Sequence, residues 1–291
     1  MDPVVKTARN YALLLRLHRP IGIYLLMWPT LWALWIAAKG PPPLGVLTIF
    51  VLGTITMRSA GCVINDYLDR HIDGKVARTR NRPIVNGDIK PKEALVTFGA
   101  LILFGASLVL LTNRLTILLA VIGFFLATTY PLTKRFCYLP QFHLGFAFSW
   151  SIPMAFSAIL GTVPNIAWSL FLTTVIWTVA YDTFYAMADK KEDIQGGIKS
   201  LSVLFGEDDI VATAILQIIF VIFLIIIGQK LELMYPYYVG LGLVSVSFIY
   251  QRRLITSKDG FKCMKAFENN NFVGGIIFCG IAMSYHISLS T

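Results

Sequence analysis

The sequence predicts an all-α protein, a polytopic membrane bundle of nine transmembrane helices with cytoplasmic loops capping an active site. Three observations carry that expectation. Hydrophobic residues fill 56% of the 291 positions and charged residues only 14%, against about 25% charged in a soluble domain. Apolar runs of about 20 residues, enough to cross a bilayer, recur along the chain. The cations fall almost entirely on alternate connections between those runs.

The spans read 20–38, 45–67, 93–111, 115–132, 140–160, 166–188, 209–228, 235–251 and 269–288. The first, IGIYLLMWPTLWALWIAAKG, follows a basic segment ending at Arg19 and is too long and Trp-rich for a cleaved signal. The second contains one cation, Arg58. The fifth contains Pro153, which is expected to kink it. The eighth is interrupted by Pro236 and several glycines. The last opens on Asn269, Asn270 and Asn271, expected as helix caps with substrate contact as the other reading.

With the N-terminus inside, the inner connections hold 21 of the 25 Lys and Arg residues, and the outer ones only Lys39, Arg114 and Lys230. One missing span would invert every later loop, so the split fixes both count and orientation. No Arg- and Ser-rich transit segment precedes the first span, which favours the bacterial inner membrane with the N-terminus cytoplasmic. The net charge of +9 lies in short loops between apolar segments, so it speaks for topology and an anionic substrate rather than nucleic acid. The four cysteines are scattered without a CxxC pair, so nothing supports a disulfide framework or a zinc site. Residues 1–291 read as a single domain. Its long inner connections, 68–92, 189–208 and 252–268, are where function is expected to concentrate.

The first of these opens with NDYLDRHIDGKVARTRNRP. Asn65, Asp69 and Asp73 recur at i, i+4 and i+8, one face of a helix. Lys75, Arg78, Arg80 and Arg82 follow at once. The second opens with YDTFYAMADKKEDIQGGIKS, where Asp182, Asp189 and Asp193 again share a face. Oxygen ligands without histidine or thiolate suit Mg2+, which takes a few carboxylates together with phosphate oxygens. Such acids also serve as topology-orienting ion pairs, but two clusters on matched faces that reach into apolar sequence favour a functional site.

These two stretches resemble the aspartate-rich motifs of the UbiA-type intramembrane aromatic prenyltransferases, NxxxDxxxD and DxxxD. The resemblance continues through RPIGIYLLMWPTLWALW, MRSAGCVIND, YPLTKR, WSIPMAF and FENNNFVG, nearly the whole chain. It implies a polyprenyl diphosphate donor, its tail among the spans and its diphosphate at the inner mouth. Two Mg2+ would be held by Asp69, Asp73, Asp189 and Asp193 with Asn65 and Asp182. Arg78, Arg82 and Lys134 would neutralise the diphosphate. The acceptor implied is 4-hydroxybenzoate, prenylated ortho to its hydroxyl in ubiquinone biosynthesis, with Asp69 as a base for the ring proton. Tyr130, Phe148, Trp150, Phe184 and Tyr185 are candidate faces for an allylic cation.

Arg58 lies two helical turns deeper than Asn65 on nearly the same face. It is the candidate partner of the acceptor carboxylate, with a buried structural ion pair as its other reading. His71 reads as a solvated loop residue, and His18, His143 and His286 as interface or packing residues. Within the same chemistry the alternative acceptors are homogentisate, a naphthoate or haem. From another class, an ion or anionic-metabolite transporter would have a site near the bilayer midplane, interrupted helices and inverted repeats, whereas here the acids cluster at one interface and no pair of Gly/Pro-broken spans is evident. The sequence points to membrane lipid as surroundings and to no obligate protein partner.

Overall fold

The computed structural model describes residues 3–73, 81–133, 137, 139–197 and 199–290. Among these no strand occurs. The helices are α1 (Pro3–Leu14), α2 (Ile21–Ala38), α3 (Leu44–Asp73), α4 (Pro91–Val109), α5 (Arg114–Thr133), α6 (Pro140–Ser149) and α7 (Ser151–Leu160). They continue with α8 (Asn165–Gly196), α9 (Leu201–Phe205), α10 (Asp209–Lys230), α11 (Tyr235–Ile255) and α12 (Gly260–Ser290). A 3-10 turn, Gly206–Asp208, joins α9 to α10.

Seven described stretches are long and apolar enough to cross a membrane: Ile21–Ala38, Leu44–His71, Pro91–Val109, Pro140–Leu160, Asn165–Lys190, Leu201–Lys230 and Gly260–Leu289. Arg114–Tyr130 is apolar but shorter. Helix α11 has a spanning length, but its opening Tyr-Pro-Tyr-Tyr and closing Gln-Arg-Arg dilute its hydropathy. The fifth expected span is broken in two at Trp150. Pro153 brings no N–H for the Ser149 carbonyl, and its ring crowds that carbonyl.

The long inner connections are shorter than expected because the helices run on. Helix α3 continues to Asp73 and α8 to Gly196, so both acidic motifs sit on helix ends rather than in loops. The connection expected at 252–268 is reduced to residues 256–259. The Asp259 carboxylate accepts from the Lys262 amide at 3.0 Å and starts α12 there. Asn269, Asn270 and Asn271 are therefore interior residues of α12, and the expectation that they cap it is overturned.

The chain divides into two compact units, one formed by Met1–Tyr24 and Thr48–Thr112 and the other by Leu25–Leu47 and Asn113–Thr291. In the first, Leu14, Val63, Ile84, Ile89 and Ala94 form a buried cluster, flanked by Tyr11, Tyr67 and Phe98. It joins α1, the C-terminal third of α3, the 81–90 segment and the start of α4. Helix α4 begins with Pro91 at its first turn, and the Glu93 carboxylate accepts the Lys90 amide at 2.8 Å.

In the second unit α8 is central, touching α6, α7, α9, α10 and α12. The three asparagines tie α12 to its neighbours. Consecutive helical residues point about 100° apart, and each reaches a different element. Asn269 Oδ1 accepts from Ser247 Oγ (2.6 Å) and Gln251 Nε2 (2.8 Å) of α11. Gln251 Oε1 accepts in turn from Gln217 Nε2 of α10 at 2.6 Å. Asn270 Oδ1 accepts from Trp177 Nε1 of α8 at 2.9 Å, and Asn271 Oδ1 from Trp28 Nε1 of α2 at 2.8 Å. Trp32 Nε1 adds a bond to the Gly274 carbonyl at 3.0 Å. A Cβ on Gly274 would lie 2.4 Å from the Trp28 ring, so only glycine lets that indole rest on α12. In an apolar interior such cross-helix bonds contribute about 0.6–2 kcal/mol each.

Candidate active site

The first acidic face lies at the C-terminal end of α3. Asn65 is half-buried, and Asp69 is buried at 4% exposure. Asp73 is the last residue of the helix. The cluster of cations is only partly in view: Lys75, Arg78 and Arg80 lie outside the described residues, as does Lys134.

Arg82 is described, and its place is informative. Its Nη1 lies 3.0 Å from Asp66 Oδ1. Arg16, from the turn after α1, reaches the same carboxylate with Nη2 at 3.0 Å and 3.3 Å. Asp66 is 1% exposed, and an ion so deeply buried needs such partners. Spacing passes over Asp66 because it falls outside the i, i+4, i+8 repeat of Asn65, Asp69 and Asp73. The available signal was an acid directly after the motif asparagine, in the apolar end of a span. Arg70 leans back over the Tyr67 ring at 4.3 Å and donates to the Tyr67 carbonyl at 2.6 Å. His71 is exposed.

Arg58 is half-buried within α3, and its Nη1 donates to Cys62 Sγ, one turn on, at 2.9 Å.

The second acidic face is on α8. Asp182, Asp189 and Asp193 are all half-buried. Between them, Lys190 turns to Asp209 at the start of α10, Nζ to Oδ2 at 2.9 Å, and also donates to the Gly206 carbonyl. Asp209 is fully buried. Lys258 approaches its other oxygen at 3.5 Å and pairs with Glu207 at 2.6 Å. That hydrogen bond to Glu207, with the Asp209 charge behind it, holds the Lys258 ammonium above its ordinary pKa. The Gln141 side chain accepts the Leu201 amide at 3.2 Å and docks α9 on α6. Sequence reading missed Asp209, since an acid opening a helix usually reads as a cap.

The candidate aromatic faces divide. Phe184 is fully buried. Trp150 spends its N–H on the Leu119 carbonyl at 2.7 Å and packs edge-on against Phe171, which makes it a packing residue. Tyr185 is half-buried with its ring 5.3 Å from Phe267. Phe148 is half-buried, and Tyr130 lies 6.3 Å from His143. His143 bridges α5 and α6, Nδ1 to Thr133 Oγ1 at 3.0 Å and Nε2 to the Leu126 carbonyl at 3.0 Å.

Among the described residues no three His, Cys, Asp or Glu side chains stand close enough together to form a metal site by themselves. The Asp73 side chain is outside that description. What the described residues do supply is buried or half-buried carboxylates on two helix ends, each end fixed by a buried ion pair.

Several helices long and apolar enough to cross a bilayer, two of them acid-bearing at one end, define a polytopic membrane protein. The model of the UbiA prenyltransferase family matches residues 26–278, and the chain belongs to that family. The 4-hydroxybenzoate octaprenyltransferase of Photobacterium profundum is 51% identical over 277 residues, covering 95% of this chain and 96% of that one. Among solved structures, the apo UbiA homolog from Aeropyrum pernix superposes with a TM-score of 0.78 at 24% identity, over 89% of this chain and 97% of that one. A UbiA homolog from Archaeoglobus fulgidus bound to GPP and Mg2+ superposes at 0.67 with 17% identity, over 97% of this chain and all of that one. These two likenesses establish the fold.

Proposed function

We propose that the protein transfers a polyprenyl group from polyprenyl diphosphate to the ring carbon of 4-hydroxybenzoate ortho to its hydroxyl, releasing diphosphate, in ubiquinone biosynthesis. The observation that carries this reading is identity of 51% over 95% of the chain to a 4-hydroxybenzoate octaprenyltransferase. The site chemistry agrees with it. The allylic C–O bond breaks with its electron pair leaving on diphosphate, the phenol ring forms the new C–C bond, and the ring proton departs. Arg58 holds the acceptor carboxylate two turns deeper than the acids. Arg78, Arg82 and Lys134 neutralise the leaving group. Asp69, buried on α3, accepts the ring proton. The faces of Tyr130, Phe148 and Tyr185 stabilise the allylic cation.

The acids fit Mg2+. Asn65, Asp69, Asp73, Asp182, Asp189 and Asp193 offer only hard oxygen donors, and no histidine or thiolate stands among them. Asp66 is excluded from that set because two guanidiniums already neutralise it. When bound, Mg2+ supplies positive charge to the diphosphate oxygens.

The reading places the protein in a bacterial inner membrane with nine crossings, the N-terminus and the site cytoplasmic. The split of 21 inner against 3 outer cations supports that arrangement.

The test is incubation of membranes with labelled 4-hydroxybenzoate, a polyprenyl diphosphate and Mg2+, then with EDTA. Lipid-extractable label that vanishes with chelator is expected. No product with any phenolic acceptor, together with ion flux in vesicles, would assign the protein to transport instead.

A further inference from the structure

The Arg58 guanidinium occupies a seat that depends on a glycine of another helix. Gly22, in the first turn of α2, is buried. A Cβ built on it would lie 2.5 Å from Arg58 Nε, 2.6 Å from Nη2 and 2.9 Å from Cζ. Non-bonded carbon contacts are optimal at about 3.5–4.0 Å, so a methyl there and the present guanidinium cannot coexist. On the other side, Arg58 Nη1 donates to Cys62 Sγ. The head group is thus held between bare backbone of α2 and the next turn of α3.

What a Cβ would meet matters as much as how closely. At Gly274 the nearest atoms belong to a tryptophan ring fixed by two helices, and a methyl there would disturb packing. At Gly22 all three nearest atoms are the far end of one long, flexible side chain. Adding a methyl therefore displaces the guanidinium and leaves the helices in place. Alanine is also a better helix former than glycine, so the substitution does not weaken α2 itself.

We propose that Gly22 is a positioning residue for acceptor recognition: its missing side chain sets where the Arg58 guanidinium stands, and hence where the acceptor carboxylate and the ring attached to it stand. The inference rests on the reading of Arg58 as the carboxylate's partner. A guanidinium meets a carboxylate through a rigid fork, so its direction matters as well as its charge. A displacement of about 1 Å in a substrate-positioning group costs up to about a hundredfold. Gly22 touches no substrate in this account and acts through Arg58.

The test uses the full-length enzyme in lipid nanodiscs with Gly22→Ala, Arg58→Ala and the double variant. For Gly22→Ala, the KM for 4-hydroxybenzoate is expected to rise about ten- to a hundredfold, with the KM for the prenyl diphosphate and the thermal midpoint unchanged. Preference for 4-hydroxybenzoate over 4-hydroxybenzamide, which lacks the charge, should shrink alongside. In the double variant the alanine at 22 should add nothing further, since its target is gone. An unchanged acceptor KM in Gly22→Ala, with a raised one in Arg58→Ala, overturns the role of Gly22 alone. An unchanged acceptor KM in Arg58→Ala overturns the reading of Arg58 itself. If Gly22→Ala accumulates poorly, recovery in the double variant identifies the guanidinium as the obstacle and supports the seat. Lack of recovery assigns Gly22 to helix packing and overturns it.

Discussion

The two acidic helix ends solve one problem with opposite charges. At the end of α3 a buried acid, Asp66, is gripped by two arginines from the turn after α1 and the segment before α4. At the end of α8 a lysine, Lys190, reaches a buried acid, Asp209, that also draws in Lys258. In both, the anchoring residue directly follows a motif residue, Asn65 in one case and Asp189 in the other. The anchor fixes the rotation of the helix end without using a motif carboxylate. The difference lies in mobility of the partners. The guanidiniums at Asp66 are forked and directional, whereas the ammonium groups at Asp209 are point charges on flexible stems.

The strongest way to break the parallel is to remove a motif acid from each end. Asp69→Ala and Asp189→Ala are each expected to abolish turnover while the protein still inserts, because both faces serve one reaction in the proposed mechanism. Product formation in membranes containing equal amounts of protein measures this. Near-normal turnover in either variant would remove that helix end from the site.

The anchors come next. Asp66→Asn and Asp209→Asn keep side-chain shape and remove charge. Breaking a buried ion pair costs about 3–5 kcal/mol when the remaining charge stays buried. Here the orphaned cations are partly exposed, with side-chain exposures of 29% and 14% at Arg16 and Arg82, and 19% and 31% at Lys190 and Lys258. They can hydrate, so a loss of about 1–3 kcal/mol is expected for each. Asp66→Asn should lose more, since lysines reach water more easily than planar forks held over a helix end. Thermal midpoints in one detergent compare the two, and a larger loss for Asp209→Asn would reverse the comparison.

How much of this was legible depended on whether a residue's role is local. The spans and the two acid faces follow from periodicity and hydropathy, which any single helix displays. The break at Trp150 followed from Pro153, whose missing N–H acts within its own helix. Asp66, Asp209 and Gly22 were hidden, because each has meaning only through partners at least 16 residues away in the chain. The asparagines of α12 were misread for a related reason. Three amides at the start of an apolar run look like caps, but the helix begins earlier, at an ordinary aspartate cap, and continues through polar residues whose partners lie on other helices.

Those asparagines supply a third, uncharged kind of anchor in the second unit. Asn270→Leu removes the acceptor for Trp177 Nε1 and leaves a buried donor unpaired, at an expected cost of about 1–2 kcal/mol. Asn271→Leu should cost less, because Trp28 is only half-buried whereas Trp177 is 1% exposed. Thermal midpoints again decide, and equal losses would mean that indole burial does not set the cost.

The smallest expected effect tests whether the arginine at the first helix end acts beyond Asp66. His18 is exposed, outside the apolar part of α2, and its pKa is lowered by partial desolvation and by the charges of Arg16 and Arg19. A lowered histidine pKa means that the unfolded chain takes up its proton first as pH falls. The contribution of His18 is therefore fully present above the unfolded value of about 6.5 and is lost as pH drops through it toward the folded value. His18→Gln should flatten a shallow decline of the thermal midpoint between pH 7 and pH 5 and change nothing above pH 7. Arg16→Gln should flatten it in part while also releasing Asp66, which separates the two duties of that arginine. A decline of the same slope in the His18→Gln protein would place its origin in the carboxylates instead.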